Sequence, residues 1–188
     1  MNAFSTFVLQ YGALNEGQIA LIENKATQLE LQKEEYFSEA GKIPRQVGFI
    51  LEGVMRGCYY NDKGEEITRC FMSENSLVVD YVSFEADAPA SEYIQACTDC
   101  RLLAFSKQDW EALSGSVPGW DQIRDRMVRM CMFQKSRKAP VISQNATSRY
   151  LEFLEKHPFL VNRVPLAYIA SYLGVTQQSL SRIRRNVR

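Results

Sequence analysis

The stretch TQQSLSRIRR, residues 176–185, concentrates side chains whose chemistry is recognition rather than catalysis. A glutamine amide sets a donor beside an acceptor and matches an adenine edge, while an arginine fork matches guanine or a phosphate. Gln177, Gln178 and Arg182 are of the base-reading type. Thr176, Ser179 and Ser181 carry hydroxyls suited to phosphate oxygens, and Arg184 and Arg185 add charge that a polyanion attracts. These eight residues are the candidate binding residues.

The elements that must position them flank them directly. In LAYIASYLGVTQQSLSRIRR, residues 166–185, the apolar Ile169, Leu173, Leu180 and Ile183 recur at helical spacing. Ala170 is small enough to let two helices approach, Gly174 suits a tight turn, and Thr176 is a good N-cap. The pattern predicts a helix-turn-helix, a motif that presents its second helix to the major groove of duplex DNA. NATSRYLEFLEKHP, with Tyr150, Leu151, Phe153 and Leu154 as its stripe and Pro158 as its stop, predicts a third helix behind the pair. Only Asn186, Val187 and Arg188 follow Arg185, so no full β-hairpin wing is expected.

Charge follows the same division. The formal net charge is zero, but residues 1–120 hold 9 Lys+Arg against 18 Asp+Glu, and residues 121–188 hold 13 against 4. The second part suits a polyanionic partner. Five cysteines are an odd number in a chain whose N-terminus lacks secretory character, so reduced thiols are expected. The pair in CTDC, Cys97 and Cys100, lies between two strand-like runs and predicts a hairpin turn. Zinc would need two further ligands, and the single histidine, His157, lies elsewhere, so no metal site is expected. No apolar run reaches the length that crosses a bilayer. A cytoplasmic protein without membrane contact follows. With one histidine, no phosphate loop and no clustered acid–base set, it is not expected to be an enzyme.

The first half changes period. A helix over 15–28, capped by Asn15 and carrying Ile19, Leu21, Ile22 and Ala26, gives way to short β-branched and aromatic runs separated by turn residues. YYNDKGEEI is a hairpin signal, with Gly64 supplying the left-handed position. Helical spacing returns at SKQDWEALSG, from the Ser106 cap to Gly115, and again from Pro118. There Trp120, Ile123, Met127, Met130 and Gln134 form a seam of alternating threes and fours. The seam predicts a dimerisation helix; the competing expectation is that this face packs on the chain's own β-roll. Pro140 ends the helix, and APVISQN reads as a hinge. The expected division is a β-roll sensor domain over 1–116, a dimerisation helix and hinge over 117–142, and a helix-turn-helix domain over 143–188.

This order of parts resembles the cAMP-receptor-protein/FNR family of bacterial transcription regulators. The resemblance rests on RYLEFLEKHP, VPLAYIASYLGVTQQSLSRIRR and VGFILEGVMRGCYYNDKGEEI, in which Gly53 separates two strands. It implies an α+β fold: an N-terminal antiparallel β-roll (a cyclic-nucleotide-binding-like, cupin-like jelly roll), a long dimerisation helix and a C-terminal helix-turn-helix. It also implies a homodimer on double-stranded DNA, with RNA polymerase and a small-molecule effector as further partners, and places Gln177, Gln178 and Arg182 where the family reads bases. The effector cassette departs from the family. In LVVDYVSF, Val79 and Val82 stand in place of glycines and Asp80 in place of a glutamate; in PASEY, Ser91 matches but Ala90 sits at the arginine position. A buried cyclic phosphate would lack its counter-charge, so neither cAMP nor cGMP is expected, and no other cofactor is named. Asp80, Tyr81 and Ser91 remain as the candidate effector pocket. No cysteine precedes Cys58, which argues against an iron–sulfur sensor, and the roll has no histidine to bind haem. In these respects the chain is similar to the family's short Bacteroidetes-like members. The alternative function is a non-catalytic sensing or protein-interaction module whose helical tail contacts a partner.

Overall fold

The computed structural model describes residues 1–136 and 145–187. Two short helices open the chain, α1 (Ala3–Val8) and α2 (Glu16–Lys25). Asn2 caps the first, and Asn15 and Gln18 form a reciprocal capping box on the second. Eight strands and one helical turn follow: β1 (Thr27–Leu31), β2 (Tyr36–Ser38), β3 (Gln46–Glu52), β4 (Met55–Tyr60), β5 (Glu66–Met72), β6 (Leu77–Val78), α3 (Tyr81–Glu85), β7 (Tyr93–Ala96) and β8 (Cys100–Ser106). The rest is helical: α4 (Lys107–Ser116), α5 (Trp120–Ser136), α6 (Ala146–Lys156), α7 (Leu166–Leu173) and α8 (Gln177–Val187).

The strands form two antiparallel sheets, ordered β1-β8-β3-β6 and β2-β7-β4-β5. Alternation along a strand lets one sheet serve two cores. In β3 and β8, Ile50 and Leu102 point between the sheets toward Met55, Ile94 and Ala96. Their neighbours Val47, Phe49, Leu103 and Phe105 point outward, under Phe4, Ile22, Trp110 and Trp120 of the helices. The β4–β5 hairpin forms as expected: the Asn61 side chain accepts from the N–H groups of Lys63 and Glu65, and Gly64 has φ 75°.

Several expectations need correction. CTDC does not close a hairpin, because β7 pairs with β2 and β4 whereas β8 pairs with β1 and β3. It carries the chain from one sheet to the other, packed on a second crossing at Gly53, which has φ 107°. A Cβ there would stand 2.6 Å from Asp99 O and Cys100 Sγ, so glycine is required for approach as well as for conformation. The helix expected over 15–28 stops at Lys25, and α4 continues past Gly115 to Ser116. The seam of α5 is the largest correction: Trp120, Ile123 and Met127 are fully or almost fully buried within their own chain, beside Trp110, Leu113 and Val117. Ile123 presses so closely on Gly12 that a Cβ there would fall 2.6 Å from it. Helical periodicity marks an apolar face without saying what covers it, and here the roll covers it. Met130 is exposed; the Gln134 side chain, Pro140 and most of the hinge lie outside the described residues.

Candidate nucleic-acid interface and effector pocket

Helices α7 and α8 meet around Gly174, whose φ of 65° places it in the left-handed region. The turn is closed by the Gly174 N–H on Ser171 O and the Val175 N–H on Ala170 O, a helix-ending pattern that glycine favours. Thr176 Oγ1 then accepts from the Ser179 N–H at 3.1 Å and starts α8. Ile169, Ala170, Leu173 and Leu180 are buried between the helices, and Ile183 packs against the same cluster. What remains on the outer face is Thr176, Gln177, Gln178, Arg182 and Arg185, all exposed, with Ser179, Ser181 and Arg184 half-buried. Helix α8 contains no acidic residue, so its three arginines give it an uncompensated positive face.

The helical unit is seated on the roll. Strand β5 is an edge of its sheet, and Ser171 of α7 covers that edge: its hydroxyl donates to Glu66 O and accepts from the Thr68 N–H, both at 2.9 Å. Beside it, the buried Arg56 guanidinium lies 3.4 Å from the centre of the Tyr168 ring. Arg56 is held in that plane by Gln95, Thr68 and Glu66. Phe71 of β5 packs on Phe153 and Tyr172. Arg163, ahead of α7, grips Glu74 through two nitrogens at 3.1 and 2.5 Å. The Arg163 hydrogen bonds, helped by the Gly53 N–H, hold the Glu74 carboxyl down to about 2 against an ordinary 4.5. Sequence reading missed this seat. Its faint signal is Ser171, a hydroxyl inside an otherwise apolar helix.

A cavity of about 470 Å³ lies against the roll, lined by Leu77, Val79, Asp80, Tyr81, Ser91 and Val128 among others. It brings the three candidate pocket residues together. Asp80 caps α3, and its carboxylate accepts from the Ser83 N–H and hydroxyl and from the Ser91 N–H and hydroxyl, at 3.0–3.4 Å. Ala90 is buried, and the nearby Glu92, also buried, pairs with Arg69 at 3.5 Å. Cys131 also lines this cavity, whereas Cys58, Cys97 and Cys100 lie elsewhere; burial pushes the thiols of these three upward, which keeps them protonated and poorly nucleophilic at neutral pH.

Residues 28–116 match the cyclic nucleotide-binding domain family. No curated protein matches the chain in sequence. Among solved structures, FixK2 from Bradyrhizobium japonicum superposes with a TM-score of 0.73 at 15% identity, over 86% of this chain and 84% of its own. The c-di-GMP-responsive global regulator CLP from Xanthomonas campestris gives 0.68 at 14% identity, over 92% and 91%. The catabolite activator protein of Thermus thermophilus gives 0.54 at 16% identity, over 94% and 85%. The roll thus has the fold and the sequence match of a cyclic nucleotide-binding domain. The chain as a whole has the fold of the cAMP-receptor-protein/FNR family regulators.

Proposed function

We propose that the protein is a sequence-specific, DNA-binding transcription regulator that acts as a homodimer and whose roll does not take cyclic nucleotides. The observation that carries the reading is the outer face of α8: Gln177, Gln178, Arg182 and Arg185 exposed together on a helix with no acidic residue, fixed by the Gly174 turn and the Thr176 cap. Glutamine and arginine can each make paired hydrogen bonds to a base edge, and the remaining charge binds the backbone. None of the structural neighbours named above is described as an enzyme, which agrees with a non-catalytic role. Such a regulator works in the cytoplasm, where it meets genomic DNA.

Two further observations shape the proposal. With Trp120, Ile123 and Met127 taken by the roll, the exposed apolar side chains on α5 are Met130, Met132 and Phe133, and these form the dimer contact. In the roll, the hydrogen-bond donors of α3 and Ser91 already hold the Asp80 carboxylate. A cyclic phosphate entering there would meet the Asp80 carboxylate, with no arginine at Ala90, and the arginine that does line the cavity, Arg69, already pairs with Glu92. The test is a triple substitution of Arg182, Arg184 and Arg185 by alanine: duplex affinity is expected to collapse while the dimer persists. Unchanged affinity would favour a partner-binding role for the tail.

A further inference from the structure

We infer that Arg149, on the helix behind the helix-turn-helix pair, is a DNA phosphate-contacting residue. The inference rests on the DNA-binding reading above and adds to it a residue from outside the two helices of the motif.

Arg149 lies in the first turn of α6. Its Nε is buried and has no hydrogen-bond partner. The acid one turn further along, Glu152, is taken by Lys156. Among the described residues no ion pair forms to Arg149. Nε is enclosed by protein, so the charge, which an arginine keeps at any ordinary pH, is offered to an anion through the terminal nitrogens. Among the described residues no carboxylate pairs with the guanidinium, which leaves its charge for an incoming anion.

The position of the side chain says which anion. A terminal nitrogen of Arg149 lies 3.5 Å from where a Cβ on Gly174 would stand, so the guanidinium sits over the turn that joins α7 to α8. That turn leads through the exposed Thr176 and Gln177 into the first N–H groups of the recognition helix. When the outer face of α8 lies in a major groove, a backbone phosphate passes along this edge. Helix α6 would then fix the register of the recognition helix through Arg149, without reading sequence.

The experiment measures duplex affinity against salt for the parent, Arg149→Ala, Arg149→Gln and Arg149→Lys, each on a selected operator and on a scrambled duplex. Arg182→Ala serves as a control within the base-reading set. Arg149→Ala and Arg149→Gln are expected to weaken both duplexes equally, by about tenfold at 0.1 M salt, and to reduce the slope of log K against log salt by about 0.9. Arg149→Lys should keep the slope. Arg149→Gln keeps the stem and an N–H donor near the Nε position while removing the charged tip, so it stays readable even if the alanine variant folds poorly. Parental slopes in both neutral variants, with Arg182→Ala impaired, would overturn the inference alone. Parental affinity in Arg182→Ala as well would overturn the DNA-binding reading with it.

Discussion

Two residues show how narrowly the recognition turn is specified. A Cβ on Gly174 would meet only Arg149, at an ordinary contact distance of 3.5 Å, so the glycine's requirement is conformational: φ is 65°. Gly174→Ala is therefore expected to destabilise the fold by about 1–2 kcal/mol, read as a lower thermal midpoint, without altering the exposed face. Thr176→Ala removes the cap of α8 and should cost about 1 kcal/mol. Both residues were legible in the sequence, since a left-handed turn and an N-cap each restrict the residue types that fit. Arg149 was legible only as a charge, and Asp80 only as a pocket residue implied by the family resemblance. Their roles depend on which partners the fold brings or withholds, and periodicity carries no such information.

At the scale of elements, polar and cation–ring contacts combine with the packing of Phe71 on Phe153 and Tyr172 to seat the helical unit on the roll. Ser171 satisfies an open strand edge, Arg56 stacks on Tyr168, and Arg163 pairs with Glu74. Tyr168→Phe keeps the ring and should be tolerated; Tyr168→Ala removes ring and packing and should destabilise by about 2 kcal/mol in denaturant unfolding. The Glu74 carboxyl is depressed in the folded chain, so its contribution is present above about pH 4.5 and is lost as pH falls toward 2. Limited proteolysis across that window should show the helical unit loosening from the roll in the parent, whereas Glu74→Gln should be loosened already at neutral pH. The strands and the β4–β5 hairpin were legible because period-two alternation and an Asn-Asp-Lys-Gly turn are local signals. The sheet-crossing role of CTDC was not. A short polar link between two strands looks the same whether it closes a hairpin or changes sheets, and the pairing partners lie far away in sequence.

For the whole molecule, the acidic first part and basic second part set up an electrostatic polarity that suits a regulator approaching DNA with its helical end. The corrected role of α5 separates two variants that sequence alone would treat alike. Trp120→Ala is expected to cost about 3–5 kcal/mol of fold stability, because the ring is core to its own chain. Phe133→Asp instead should yield a folded monomer with weakened duplex binding, seen by light scattering and anisotropy. The measurement that bears most directly on the central claim is selection of duplexes from a random library by the folded parent, followed by affinity against salt. The account predicts a two-fold symmetric site with half-sites about one helical turn apart and a linear fall of log K with log salt. A folded dimer that enriches no sequence and binds no duplex even at low salt would contradict it.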